Sequence, residues 1–505
     1  MKKDEEEQMK RYPTARSAEN KPETPMIFIN SIGDLLRVLR RNERPIYSIS
    51  PSPFNLMGID EWVGNFTFIS YFDPFDGRHP NVFAPSTPPN YRPNSIAEIN
   101  NDLLKHPEVI SFISKRGGNP AAAFLQFDET TEKLCKELGI EILFPTAKLR
   151  RRLDNKIETV RIGNKAGVPS VPNTLAGART YEELLSEAGK AGLGTDLVVQ
   201  EPYGDSGQTT YFIDSEEDYN RCASSLSALP EVKIMKRINN CRSVTLDACV
   251  TTSGTLVGPF MTEVVGKPEL TPDEGGWAGN EIFVGAFSEE IRTKAREMTS
   301  RFGNQLLKEG YLGYFNLDFL IIVETGEVYL GELNPRISGA SSLTNPAPFA
   351  NAYPPLFLFH LLAFSGVGYK LDVEEWNGRW ASKEYNEPWS QLLIKSIDEL
   401  DGTVTHAPAT GIYRMTPDGR VSYDRFAYRW QEIESDEEAF FLRITGAGDP
   451  VYKGAHLGFL FVRGRVMNDE YDLNERVLWI EGIKSFYLSK PGAEIKRDET
   501  QGAKP

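Results

Sequence analysis

The chain has 505 residues, too many for one ordinary hydrophobic core, so two to four domains are expected. Its composition (40% hydrophobic, 25% charged, 11% aromatic) is that of a globular protein, and a net charge of −15 argues against a protein that coats nucleic acid. No run of 18 apolar residues occurs, which excludes an ordinary transmembrane helix, and the four cysteines form no CxxC or zinc-like set, which favours reduced thiols and a cytoplasmic setting.

Residues 1–25 are charged, carry prolines and have almost no large aliphatic side chain; they read as a disordered tail and lack the apolar core of a signal peptide. From 26 to 148 short strands alternate with helices. MIFI and PIYSIS are strand candidates around an amphipathic helix with Ile32, Leu35, Leu36 and Leu39 on one face. AAAFLQF, DETTEKLCKELG and IEILFP read as strand, helix and strand, with Gly139 placed to end the helix. This is an α/β layer domain. The Pro- and Asn-rich stretch DPFDGRHPNVFAPSTPPNYRPNS reads as a solvated surface loop, with Arg78 and His79 as its only substrate-facing candidates.

The texture changes near residue 149. The basic run Arg150-Arg151-Arg152 reads as an anion-facing surface or a solvated turn, and a helix opens near Asp154 and breaks at Ala166-Gly167-Val168-Pro169. Next come a helix, a strand ending at Gln200, the loop from Gly204 through Ser206, Gly207, Gln208 and Thr209, and a returning strand. A further helix leads to a strand ending in Met235-Lys236-Arg237-Ile238, and a hairpin turns at Ser253-Gly254. Residues 266–280 form a Gly- and Pro-rich segment of lid-like length, and Ser288 opens a helix bearing Ile291, Ala295, Met298, Phe302 and Leu306. An apolar helix spans about 356–364. Residues 371–388 read as a linker, and 389–505 as a β-rich domain whose VLWIEGIKSFYL is a final strand pair.

The most informative stretch is a hairpin, with strands at 317–323 and 328–333, that ends in Glu332, Asn334 and Arg336. If the chain stays extended there, the period of two places these three side chains on one face, where Asp318 of the partner strand could join them. Two carboxylates, an amide oxygen and a guanidinium suit divalent cations and phosphate oxygens. A hairpin with a charged rim is the alternative. Lys156, the Gly204–Thr209 loop and the strand end at Lys236 each add a weaker phosphate signal; the loop is not a Walker A loop, because no GK[ST] follows.

In order and spacing these features resemble the ATP-grasp superfamily. Glu332-Leu333-Asn334-Pro335-Arg336 looks like its E-x-N-P-R magnesium motif, Asp318 stands where the superfamily keeps its other metal carboxylate, and Asp154-Asn155-Lys156 followed by AGVP looks like its phosphate-contacting helix opening. The resemblance covers about residues 149–364. The domain order, an α/β domain first and β-rich last, is similar to that of biotin carboxylase and its relatives.

The resemblance implies a pre-ATP-grasp domain (26–148), a two-lobed ATP-grasp core (149–370) and a β-rich C-terminal domain. It also implies ATP and two Mg2+ ions (or Mn2+), with metal on Asp318, Glu332 and Asn334. Nucleotide would lie on Lys156, Gln200, Gly204, Ser206, Gly207, Gln208, Thr209, Met235, Lys236, Arg237 and Ile238, and Arg336 would be catalytic. The implied activity is ligation of a carboxylate to an amine, an amino acid or small peptide, through an acyl phosphate; a carboxylating enzyme and a non-catalytic ATP binder are the alternatives. A homodimer without nucleic-acid or membrane partners is expected. Two departures stand out. Gln200 occupies the place of a second phosphate-binding lysine, and Ile337-Ser338-Gly339-Ala340-Ser341-Ser342 replaces the Gln-Val-Glu-His segment with which biotin carboxylase supports bicarbonate chemistry.

Overall fold

The computed structural model describes residues 26–87, 95–204, 209–273, 275–345, 353–382, 388–397 and 401–491. The tail at 1–25 and Ser206, Gly207 and Gln208 of the glycine loop lie outside them.

The first body is a five-stranded parallel sheet in the order Val82–Phe83, Phe66–Ile69, Ile46–Ile49, Ala121–Phe124, Glu141–Ile142. Its three central strands are buried along their whole length, as expected of a parallel sheet covered on both faces, and this explains why they read as unbroken apolar runs. The Pro-rich insertion is not a solvated loop. Phe75 is buried, the His79 ring packs 4.9 Å from that of Tyr428, and the Arg78 guanidinium lies 4.1 Å from the centre of the Phe426 ring.

The described part of the segment expected to be a linker, through residue 382, is also structured. Tyr369–Leu371 forms a parallel pair with Ile27–Ile29, and the helix Val373–Ala381 sends the Trp376 indole N–H to the Ile29 carbonyl at 3.0 Å.

A small lobe follows: four antiparallel strands ordered Asn173–Ala176, Val232–Lys236, Leu197–Gln200, Thr210–Ile213, backed by helices Tyr181–Lys190 and Glu216–Ser227. Leu197, Val199, Val232 and Ile234 point into the core on the helix side. Val198, Gln200, Lys233 and Met235 therefore line the other face.

The large lobe belongs to a ten-stranded sheet. It runs Val328–Asn334, Gly313–Ile322, Cys241–Thr251, Gly254–Val265, Trp277–Ile282, Trp389–Lys395, His456–Arg463, Glu438–Arg443, Gly411–Met415, Val421–Arg425. Residues 277–282 are thus an interior strand and not part of a free lid; Glu281 accepts from Arg465 Nε at 3.1 Å and from the backbone N–H of Val466 at 2.8 Å. Five C-terminal strands continue this sheet, while Pro450–Val451, Gly402–His406 and Leu488–Pro491 form a separate three-stranded one. VLWIEGIKSFYL is not a strand pair: Val477–Ser485 is a helix that buries Trp479, Ile480 and Ile483, and only Leu488–Pro491 is extended.

The helix Glu289–Lys308 lies against the large lobe, with Ala295, Met298, Phe302 and Leu306 packed on Leu317, Phe319, Ile321, Val328, Leu330 and Leu333. Each of the larger side chains, Met298, Phe302 and Leu306, contributes about 1.5–3 kcal/mol by leaving water. All four cysteines are free thiols, and among the described residues no helix is long and apolar enough to cross a membrane.

Candidate nucleotide and metal site

The alternation that sends Leu317, Phe319 and Ile321 into the core turns Asn316 and Asp318 to the opposite face, towards the small lobe. Asn316 stands opposite Asn334, and a register irregularity after Leu317 brings Asp318 beside Gly331 and Glu332. The neighbouring strand presents Thr245 opposite Asp318 and Asp247 opposite Asn316. One face of three strands thereby gathers the acids and amides of the site.

A chain of hydrogen bonds orders them. Thr245 Oγ1 donates to Asp318 Oδ1 at 2.6 Å, and Asn334 Nδ2 donates to Asp318 Oδ2 at 3.0 Å and Asn316 Oδ1 at 3.2 Å. Asn316 Nδ2 donates to Thr245 Oγ1 at 2.6 Å and to Asp247 Oδ1 at 3.0 Å. Arg336 donates to Asn334 Oδ1 and, at 3.1 Å, to Asp154 Oδ1. Burial, reinforced by the Glu263 carboxylate and by Glu332, holds the Asp318 carboxyl well above the usual carboxylate range. Burial likewise raises Glu263, which accepts from Ser243.

Lys156 opens the helix Lys156–Ala166, where Asn155 Oδ1 caps the N–H groups of Ile157 and Glu158 at 2.8 and 3.3 Å. Its side chain is 5% exposed; Nζ lies 2.7 Å from Glu332 Oε2 and donates to the Gly204 carbonyl at 3.0 Å. The helix opening, Gly204 at the start of the glycine loop and the hairpin, far apart in sequence, therefore meet at one ammonium.

The basic run before it is a helix, Ala147–Leu153, in which Arg151 is exposed beside the Tyr203 ring while Arg150 and Arg152 bind within the protein. Arg150 is buried, stacks 4.3 Å from the centre of the Phe127 ring and donates through Nε to the Pro335 carbonyl at 3.0 Å; Arg152 pairs with Glu309 at 3.0 Å. Arg150 thus anchors the Asn334-Pro335-Arg336 segment from behind, a role its charged triplet concealed.

Lys156, Gly204, Asp318, Glu332, Asn334 and Arg336 come together in this way. Gln200 faces the same space, half-buried, with Nε2 donating to Thr210 Oγ1 at 3.1 Å. The Thr209 hydroxyl is buried without a partner among the described residues. Met235 and Ile238, with Val171, Val198, Leu320 and Tyr329, form an apolar patch between the lobes, suited to a planar base. Lys236 and Arg237 do not join. Lys236 is exposed at the strand end on the face opposite Lys233, and Arg237 faces Asp196 at 3.6 Å and the Phe212 ring.

The residue missed from sequence is Lys233. It is 1% exposed, and burial lowers its ammonium to about 8, partly opposed by Glu332. Its only signal was a cation inside the apolar run VKIM.

The carboxyl groups of Asp318 and Glu332 with the amide oxygen of Asn334 are hard oxygen donors that fit Mg2+, and a cation among them would offset the crowding of Asp318 by Glu263 and Glu332. Among the described residues no three His, Cys, Asp or Glu side chains stand close enough to enclose a metal by themselves. An ion here would complete its shell with Asn334, water and phosphate oxygens.

No protein-family model matches the chain. The biotin carboxylase of Haemophilus influenzae is 24% identical over 248 residues, 46% of this chain and 52% of that enzyme, so the chain spans about half the length of the curated relative it matches. Among solved structures, the biotin carboxylase–βγ-ATP complex of Campylobacter jejuni superposes with a TM-score of 0.60 at 14% identity, over 88% of this chain and 92% of that one. The biotin carboxylase domain dimer of Hydrogenobacter thermophilus 2-oxoglutarate carboxylase, in complex with MgADP, ADP and bicarbonate, gives 0.56 at 12% identity, over 83% and 86%. The chain has the ATP-grasp fold, in the three-part arrangement of biotin carboxylase.

Proposed function

We propose that the chain is an ATP-dependent, magnesium-requiring enzyme that activates a carboxyl oxygen as an acyl phosphate, with bicarbonate as the favoured oxygen nucleophile. The observation that carries the ATP reading is the meeting of Lys156, the Gly204 carbonyl and Glu332 above the Asp318–Asn334 face. What favours bicarbonate is the likeness in fold to biotin carboxylases over nearly nine-tenths of the chain, and to a biotin carboxylase domain in complex with MgADP, ADP and bicarbonate.

In this reading the apolar patch of Val198, Met235 and Ile238 receives the adenine, and Lys156 holds phosphate oxygens. A divalent cation on Asp318, Glu332 and Asn334 would neutralise the charge that develops in phosphoryl transfer. Arg336, held in place by Asp154 and Asn334, stabilises the acyl phosphate and the oxyanion formed when the acceptor attacks. Burial of the polar face keeps water from hydrolysing the intermediate.

A second reading, ligation of a carboxylate to an amine such as an amino acid or peptide, has its own support. After Arg336 the chain turns through buried Ile337 and sends the Ser338 hydroxyl to Asp247 at 3.1 Å, so this turn offers no acid or base to bicarbonate. The half-buried Glu263 suits an ammonium.

The test is ATP-dependent phosphate release with bicarbonate, and separately with pairs of amino acids, read with mass detection of products. Bicarbonate-dependent release supports the first reading and amine-dependent release the second; tight ATP binding with no release under any condition would defeat both. Glu332→Gln should abolish ADP formation with an unchanged circular dichroism spectrum, and near-normal turnover would sink the metal assignment. A homodimer belongs to the same proposal, and light scattering tests it.

A further inference from the structure

Gln200 leaves one wall of the nucleotide site without the charge that strong phosphate contacts need. The strand order supplies a replacement. Val232–Lys236 runs antiparallel to Leu197–Gln200 with Lys233 directly opposite Gln200. Cross-strand partners share a face, with Cβ atoms about 5 Å apart, so a lysine at 233 can reach the space that a lysine at 200 would reach. That face also carries Val198 and Met235 and looks towards the hairpin.

As a purely structural group Lys233 is poorly provided for. An ammonium has three donors, yet its one hydrogen bond among the described residues is a long one, 3.4 Å to the Gly331 carbonyl. The neighbouring Glu332 carboxylate is already engaged by Lys156 at 2.7 Å. A buried cation so weakly partnered is less stable than an apolar side chain of the same size would be. What suits it is an anion with several oxygens entering between Lys156, Gly204 and Gly331.

We propose that Lys233 is a phosphate-binding residue of the nucleotide site, carrying on the neighbouring strand the charge absent at Gln200. The proposal rests on the ATP reading above. The ligand class is the polyphosphate of a nucleoside triphosphate, and a nucleoside alone does not call on this residue.

Calorimetry on the full chain with Mg2+ and a non-hydrolysable ATP analogue, with adenosine as a second probe, tests it. Lys233→Met should weaken the analogue by roughly tenfold to a hundredfold, the range of a hydrogen bond to a charged group, and leave adenosine unchanged. Gln200→Lys combined with Lys233→Gln, which moves the charge back one strand, should recover most of the lost affinity. Thermal melts run alongside identify a variant that has failed to fold, and for that case Lys233→Arg, which keeps the charge, should bind within a few-fold of wild type. Equal binding by wild type and a folded Lys233→Met, or no recovery in a folded double variant, overturns the assignment of Lys233 while the ATP reading stands. Failure of the wild type to bind the analogue overturns both.

Discussion

Asp247 shows how this site stores unfavourable charge at a single residue. It is fully buried, accepts from Asn316 and Ser338 through Oδ1, and leaves Oδ2 without a partner among the described residues. Burial lifts its carboxyl to about 6, against about 3.9 in an unfolded chain. Between those values the folded protein holds the proton more tightly, so this group's contribution to stability falls as pH rises from about 4 to about 6 and stays lost above. Asp247→Asn keeps the acceptor and removes the charge. The variant should be more stable than wild type by ~3 kcal/mol at pH 7.5, with the difference vanishing near pH 4. Urea denaturation at the two pH values checks this, and a variant weaker at both would mean that the ionised form is needed.

At the scale of elements, His360 on the helix Phe357–Ala363 joins the first domain to the hairpin. Its Nδ1 accepts from the Tyr314 N–H at 2.9 Å and its Nε2–H donates to the Leu143 carbonyl at 2.6 Å, which requires the neutral ring. The close approach is possible because residue 313 is glycine, at φ +101°, where a Cβ would press on the imidazole. Burial holds His360 down to about 3. The unfolded chain therefore takes up this proton first, and stability is lost as pH falls from about 6.5 towards 3, by up to about 1.4 kcal/mol per pH unit. Chemical-denaturation midpoints from pH 6.5 to 4 should fall in the wild type and flatten in His360→Gln; parallel curves would remove His360 as the cause.

Elements also show what could be read in advance. Asp318, Glu332 and Asn334 were legible because a strand's period of two needs only local sequence, and the helix Glu289–Lys308 because its apolar spacing covers several turns. Lys233 was not, because its meaning comes from standing opposite Gln200, a pairing between strands 33 residues apart. Val477–Ser485 was misread because a short apolar run with β-favouring Val, Trp and Ile fits either structure until tertiary packing decides.

For the whole molecule, the continuous sheet matters most. Trp277–Ile282 has Gly254–Val265 on one side and Trp389–Lys395 on the other, so the ATP-grasp core and the C-terminal strands share a ladder. Deleting residues 389–505 would bare that edge and strip Glu281 of Arg465, Val466 and Met467. The truncated chain should aggregate or melt well below the full one in size-exclusion and thermal measurements. A monomer with an unchanged melting temperature would show that the two parts are energetically separate.

The clasp between Ile27–Ile29 and Tyr369–Leu371 has a further consequence, for the order of events at the ribosome. The core that holds Ile29, Leu35 and Leu39 also includes Tyr314, Leu356, Phe359, Trp376 and Trp380. A nascent chain that has emerged only to residue 150 has its parallel sheet but not the residues that cover its outer side. Its apolar surface stays open until some 230 further residues have been made, a long window for chaperones to bind.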